Sequence, residues 1–87
     1  MRAPISERAE IVRDGIGFDW TPVAAIMPSV ARRLRGPNGG RMQPHAVQMV
    51  VHRAIDELVR AGRVESRVEG PNRFARLVVS RARAEQR

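Results

Sequence analysis

The chain contains no cysteine. That excludes a disulfide framework, a thiolate zinc site and a cysteine nucleophile, and it fits a reducing, intracellular compartment. Lysine is missing as well, since all sixteen basic residues are arginine. Codon bias in a GC-rich genome accounts for that absence without any selection for guanidinium chemistry. Aromatic residues are scarce, with Trp20 and the two phenylalanines Phe18 and Phe74 making up 3% of the chain, which disfavours a platform for stacking the bases of a single strand. No stretch is long and apolar enough to span a bilayer, so no membrane partner is expected. Met1-Arg2-Ala3-Pro4 followed by Ser6-Glu7-Arg8 lacks the apolar run of a secretory signal.

Catalytic patterns are missing too. No serine, histidine and carboxylate arrangement and no carboxylate pair is evident, and "GPNGG" lacks the lysine and the strand-to-helix setting of a nucleotide loop. His45 and His52 lie seven apart on one helical face, without an acidic or cysteine partner to complete a metal site. The expectation is a protein that is not an enzyme and needs neither cofactor nor metal.

What is present fits one small folded domain: 87 residues, 43% hydrophobic and 29% charged. Sixteen arginines stand against nine acidic residues, for a net charge of +7 and a pI near 11.8. Such an excess points to a polyanionic partner and, with the missing cysteines, to a cytoplasmic, nucleoid-associated location.

Along the chain, Ser6 can cap a first helix through about Asp14, with Ile5, Ala9, Val12 and Ile16 at helical spacing. Phe18 and Trp20 then suggest a brief strand or extended link. Thr21 as N-cap and Pro22 at the first helical position would open a second helix. Pro28 falls inside that helix and predicts a kink, or two short helices meeting at Met27. "RGPNGGRM", Arg35 to Met42, reads as a loop. From Gln43 or Pro44 a third helix carries Val47, Val50, Val51, Ala54, Ile55 and Leu58 as a buried stripe and ends at Gly62. Its other face gathers His45, Gln48, Met49, His52, Arg53, Asp56 and Arg60.

Strand alternation follows, with Val64, Ser66 and Val68 on one side and Arg63, Glu65, Arg67 and Glu69 on the other. Gly70-Pro71-Asn72-Arg73 suits a turn with Pro71 at its second position and Asn72 at its third. Pairing Gly70 with Arg73 puts Val68 opposite Ala75, Ser66 opposite Leu77 and Val64 opposite Val79. Arg67 would then face Arg76, a like-charge pair that an anion or the neighbouring Glu65 and Glu69 would relieve. One domain over residues 1–79 and a flexible basic tail over 80–87 complete the reading, with an α+β class that is mainly helical and ends in a small β-hairpin.

The order of elements, and above all "AIDELVRAGRVESRVEGPNRFARL", resembles the winged helix-turn-helix family. There a helix of this pattern ends at a glycine and passes directly into the wing, as Gly62-Arg63-Val64 would here, and "EGPNRFARL" looks like the wing turn and its return strand. The resemblance spans roughly Ser6 to Val79, and Ala54 to Leu77 is its specific part. Pro28 and the long glycine-rich loop depart from the family pattern. It implies three helices plus a wing, with the third helix in the major groove of double-stranded DNA and the wing tip at a neighbouring minor groove or phosphate.

Carried onto this chain, Gln48 would bond adenine, Arg53 guanine, and His45 and His52 phosphates or base acceptors. Arg41, Arg67, Arg73 and Arg76 would attract phosphate, with Asn72 at the wing tip beside them. Asp56 and Glu57 would repel phosphates and confine contact to the first half of the helix. A sequence-specific DNA-binding protein follows, a bacterial or phage transcriptional regulator or an excisionase-like architectural factor in DNA recombination. So small a module would act as a homodimer or cooperative array, through the N-terminal helix or the C-terminal tail. The alternative is a winged helix used to contact a host protein.

Overall fold

The computed structural model describes residues 4–36 and 39–78; the expected partner Val79 and the tail over 80–87 lie outside them. Helix α1 spans Glu7–Arg13, strand β1 Thr21–Pro22, helix α2 Val23–Arg33, helix α3 Pro44–Arg60, strand β2 Val64–Glu69 and strand β3 Asn72–Leu77. The strands form an antiparallel sheet in the order β1-β3-β2. This α+β arrangement, and the order of its elements, is compatible with a winged helix.

Each boundary has a local cause. Ser6 caps α1, its hydroxyl accepting from the Ala9 amide at 3.1 Å. Glu57 completes the cap from α3: its carboxylate accepts from the Ser6 amide at 2.6 Å and from the Ser6 hydroxyl at 2.8 Å. A capping-box glutamate does the same from within its own helix. Both bonds, the amide's first, hold the Glu57 carboxyl below its ordinary 4.5, with a smaller contribution from Arg60. Pro44 occupies the first turn of α3, where its missing N–H has no helical acceptor anyway. At the other end the Gly62 amide donates to the Val59 carbonyl and the Arg63 amide to the Leu58 carbonyl, with Gly62 at φ +74°. That pair of bonds is the Schellman closure, and it sends the chain straight into β2.

Three expectations need correction. Thr21 does not cap α2; the N-cap is Pro22 without a side-chain bond, and the Thr21 hydroxyl accepts from the Gly17 amide and donates to the Asp19 carbonyl. Its backbone is in β1, paired with Ala75, so the strand begins after Trp20. Of the two outcomes expected at Pro28, a kink or two short helices, the second does not occur: α2 runs unbroken through Pro28. Ala24 and Pro28 are both exposed, so the carbonyl that loses its helical partner lies on the solvent side.

The third correction is the hairpin register. Glu69 pairs with Asn72, Val68 with Arg73, Ser66 with Ala75 and Val64 with Leu77. Only Gly70 and Pro71 lie between the strands, and Gly70 has φ +60° while no non-glycine residue has positive φ among the described residues. A two-residue turn with positive φ at its first central position alone is type II′, which glycine followed by proline can make. Arg67 therefore faces Phe74 and Arg76 faces Glu65. The expected arginine pair does not exist.

The core lies where the three helices meet the inner face of the sheet. Val12, Val30, Val51, Ile55, Leu58 and Ala75 are all buried, and among the described residues no charged or polar residue is. Val64 and Ala75 cover the core from the hairpin, while Val68, nearer the turn, is 67% exposed.

Candidate nucleic-acid interface

α3 is packed on its Val47, Val51, Ala54, Ile55 and Leu58 stripe. His45, Gln48, Met49, Arg53, Asp56 and Arg60 are exposed as expected, and His52 is half-buried. The face is too wide to act as one surface. At about 100° per residue, Gln48 and Arg53 diverge by about 140° around the axis, and they border different hollows.

Gln48 and His52 share a cleft of about 370 Å³ with Asn72 and Arg73 of the hairpin, floored by Val23, Ala24 and Met27 of α2. An adjoining groove of about 770 Å³ takes in Gln48 again, together with His45 and Arg41, over Met27, Ala31 and Met42. Arg41, His45, Gln48, His52, Asn72 and Arg73 thus line one continuous side of the molecule, although the hairpin and the loop before α3 are some thirty residues apart in sequence. In the loop the Gly36 amide donates to the Gly40 carbonyl at 2.8 Å and the Gly39 amide to the Gly36 carbonyl at 2.9 Å.

The other three candidates stand elsewhere. Arg53 lies beside Ser6, Arg8 and Met49, next to α1. Arg67 and Arg76 are on the outer face of the sheet, where their guanidinium carbons sit 4.6 and 4.5 Å from the centre of the Trp20 ring. Arg67 also lies 5.7 Å from the Phe74 ring. Ion pairs hold both, Arg67 to Glu69 at 2.8 Å and Arg76 to Glu65 at 2.7 Å.

Arg73 is not a free tip. Its guanidinium donates to Asp56 at 2.7 Å, to the Ser66 hydroxyl at 2.9 Å and to His52 Nδ1 at 3.2 Å, with a side chain only 19% exposed. This clasp ties the hairpin to α3. Because guanidinium can only donate, Nδ1 of His52 is the acceptor and its proton sits on Nε2, so the ring offers the cleft a donor. Asp56 and Glu57, expected to repel phosphate, are both engaged inside the molecule, with Arg73 and Ser6 respectively.

Sequence reasoning missed the Trp20 cluster and the Arg73 clasp. The signal for the clasp was an arginine at a position of the inner, apolar face; burial there demands a counter-charge, and Asp56 lies one turn beyond His52 on the same side of α3. No comparable signal joined Trp20 to Arg67, which lies two strands away in the sheet.

Comparison with protein-family models, with curated proteins and with solved structures finds no match to this chain. Among the described residues, no helix is long and apolar enough to cross a membrane.

Proposed function

We propose that the chain is a winged helix-turn-helix domain that binds double-stranded DNA, with α3 in the major groove and the hairpin as its wing. The observation that carries this reading is the cleft in which Gln48 and His52 of α3 meet Asn72 and Arg73 of the hairpin, in a chain of net charge +7. Gln48 has paired donor and acceptor groups that match an adenine edge, and His52 Nε2–H matches a base or phosphate acceptor. Arg41 and His45 extend the same side toward the adjoining backbone. A transcriptional regulator or an architectural factor in recombination would both use such a module.

One observation favours the second reading, a winged helix that contacts a protein. Arg67, Arg73 and Arg76 are all occupied by carboxylates, which lowers the charge left for phosphate. Selection of duplexes from a random pool, followed by titration of the preferred duplex, decides between the two. DNA binding predicts a log-log salt slope of roughly −3 to −6. Gln48→Ala should change the preferred base at one position, at a cost of about 1–3 kcal/mol. Arg53→Ala, on the α1 side, should affect all duplexes alike or not at all. Binding that ignores both salt and Gln48 would leave the protein-contact reading in place.

A further inference from the structure

Among the described residues no strand pairs with the outer edge of β2, and that edge lacks two of the devices that normally block strand addition, proline and an inward-pointing charge. β2 is an outer strand of the sheet. It is six residues long, VESRVE, without proline; its inward positions Val64, Ser66 and Val68 are uncharged, while its outward positions carry Glu65, Arg67 and Glu69, and exposed edges are commonly protected by charged side chains, by proline or by an inward charge. We propose that this edge is the self-association surface of the protein, and that a second copy adds its own β2 antiparallel to it.

The hydrogen-bond parity fits. Glu69 and Asn72 flank a two-residue turn and so form a hydrogen-bonded pair. Alternation makes Arg67 and Glu65 the next residues bonded to β3. Val64, Ser66 and Val68 accordingly direct their N–H and C=O groups at the free edge. An antiparallel pair centred on Ser66 joins Ser66 to Ser66 and Val64 to Val68 of the other copy through just those groups.

The side chains fit the same register. Centring on Ser66 puts Glu65 opposite Arg67 of the second copy, and two-fold symmetry makes that complementary pair twice, so that each would extend an ion pair already made within its own sheet, Glu65 with Arg76 and Arg67 with Glu69. On the inner face, Val68 takes the position opposite Val64 of the second copy, which is buried in its own core. Val68 is 67% exposed and Val59 of α3 is 42% exposed, and the two border one hollow beside the edge together with Ser66, Arg60 and Arg67. A second copy added at this edge covers that hollow and takes both valines out of water. The two-fold axis runs through Ser66 normal to the sheet, so both copies of α3 lie on one side of a six-stranded sheet. This assignment does not depend on DNA binding, and it differs from the N-terminal helix and C-terminal tail that sequence reasoning suggested.

Sedimentation equilibrium of the full chain tests it. The parent should show a concentration-dependent monomer-dimer equilibrium. Val68→Lys alters a side chain exposed in the monomer, so it should leave the thermal transition of the monomer in place while weakening dimerisation about tenfold or more, each substitution counting twice by symmetry. Arg67→Glu and Glu65→Arg should each weaken self-association. Mixed together they should form a heterodimer, because every facing pair is again of opposite charge. A parent that stays monomeric up to about 1 mM, a dimer that Val68→Lys leaves as tight as before, or a mixture no better than its components would each overturn the proposal.

Discussion

On the inner face of the hairpin Arg73 reaches down to α3 and donates to Asp56, Ser66 and His52, whereas on the outer face Arg67 and Arg76 lie along Trp20 and pair with carboxylates of their own sheet. The same side chain acts as a cross-element clasp in one place and as a cover for an aromatic ring in the other. Strand parity decides which, because it sets whether a helix or solvent lies above the residue. A count of basic residues is therefore a poor count of phosphate contacts.

The comparison breaks most visibly at Trp20. Trp20→Ala removes a half-buried indole and the support of two guanidinium groups, and should destabilise the fold by about 1.5–3 kcal/mol. Duplex affinity measured on the folded variant should stay near that of the parent, since Trp20 lies on the face away from the cleft. A Trp20→Ala protein that keeps its stability but loses DNA would make the outer face the binding surface instead.

Arg73→Ala comes next. It leaves the Ser66 hydroxyl and His52 without their donor and Asp56 without its counter-charge, at a cost of about 1–2 kcal/mol after allowing for the exposure of Asp56. Arg76→Ala should cost less than about 1 kcal/mol, because its ion pair is half exposed and Trp20 keeps Arg67. Asp56→Ala, which releases Arg73 toward the cleft, should tighten duplex binding while lowering the thermal transition. Equal melting temperatures for Arg73→Ala and Arg76→Ala would erase the distinction between the faces.

Much of the architecture was legible because it rests on local signals. The stripe of α3 is periodic over several turns, and its end is marked by a glycine whose positive φ closes a Schellman pair. The hairpin partners were misassigned by two positions, yet its faces were right, since a shift of two preserves the side of the sheet while changing every pair. That is why Val64 and Ala75 share the buried side of the hairpin, as the alternation implies, although Arg67 was set against the wrong residue. The site was legible only in part. Helical spacing placed Gln48 and His52 outward, but which of the exposed residues share a cleft depends on how α2 and the hairpin flank α3, and no periodicity encodes that. Arg53 was grouped with Gln48 on the strength of exposure alone.

The smallest effect concerns the neighbouring carboxylates Asp56 and Glu57, which diverge from α3 to serve opposite regions, the hairpin and the cap of α1. Glu57 is held below its ordinary 4.5 by its two bonds from Ser6. A carboxyl whose folded value is depressed stabilises the protein above its unfolded value and loses that contribution as pH falls through the folded value. The parent should therefore be more stable than Glu57→Gln at neutral pH, by a margin that stays constant above the ordinary 4.5 and shrinks as the pH falls below it. Glutamine keeps the shape but only one of the two acceptor oxygens, so the margin reports the charge and one hydrogen bond on the cap rather than lost packing. Thermal melts across that range check it. A margin that holds steady or widens on acidification would mean that the Ser6 contact leaves the Glu57 carboxyl unperturbed, and that α1 is fixed to α3 by its buried Ala9 and Val12 alone.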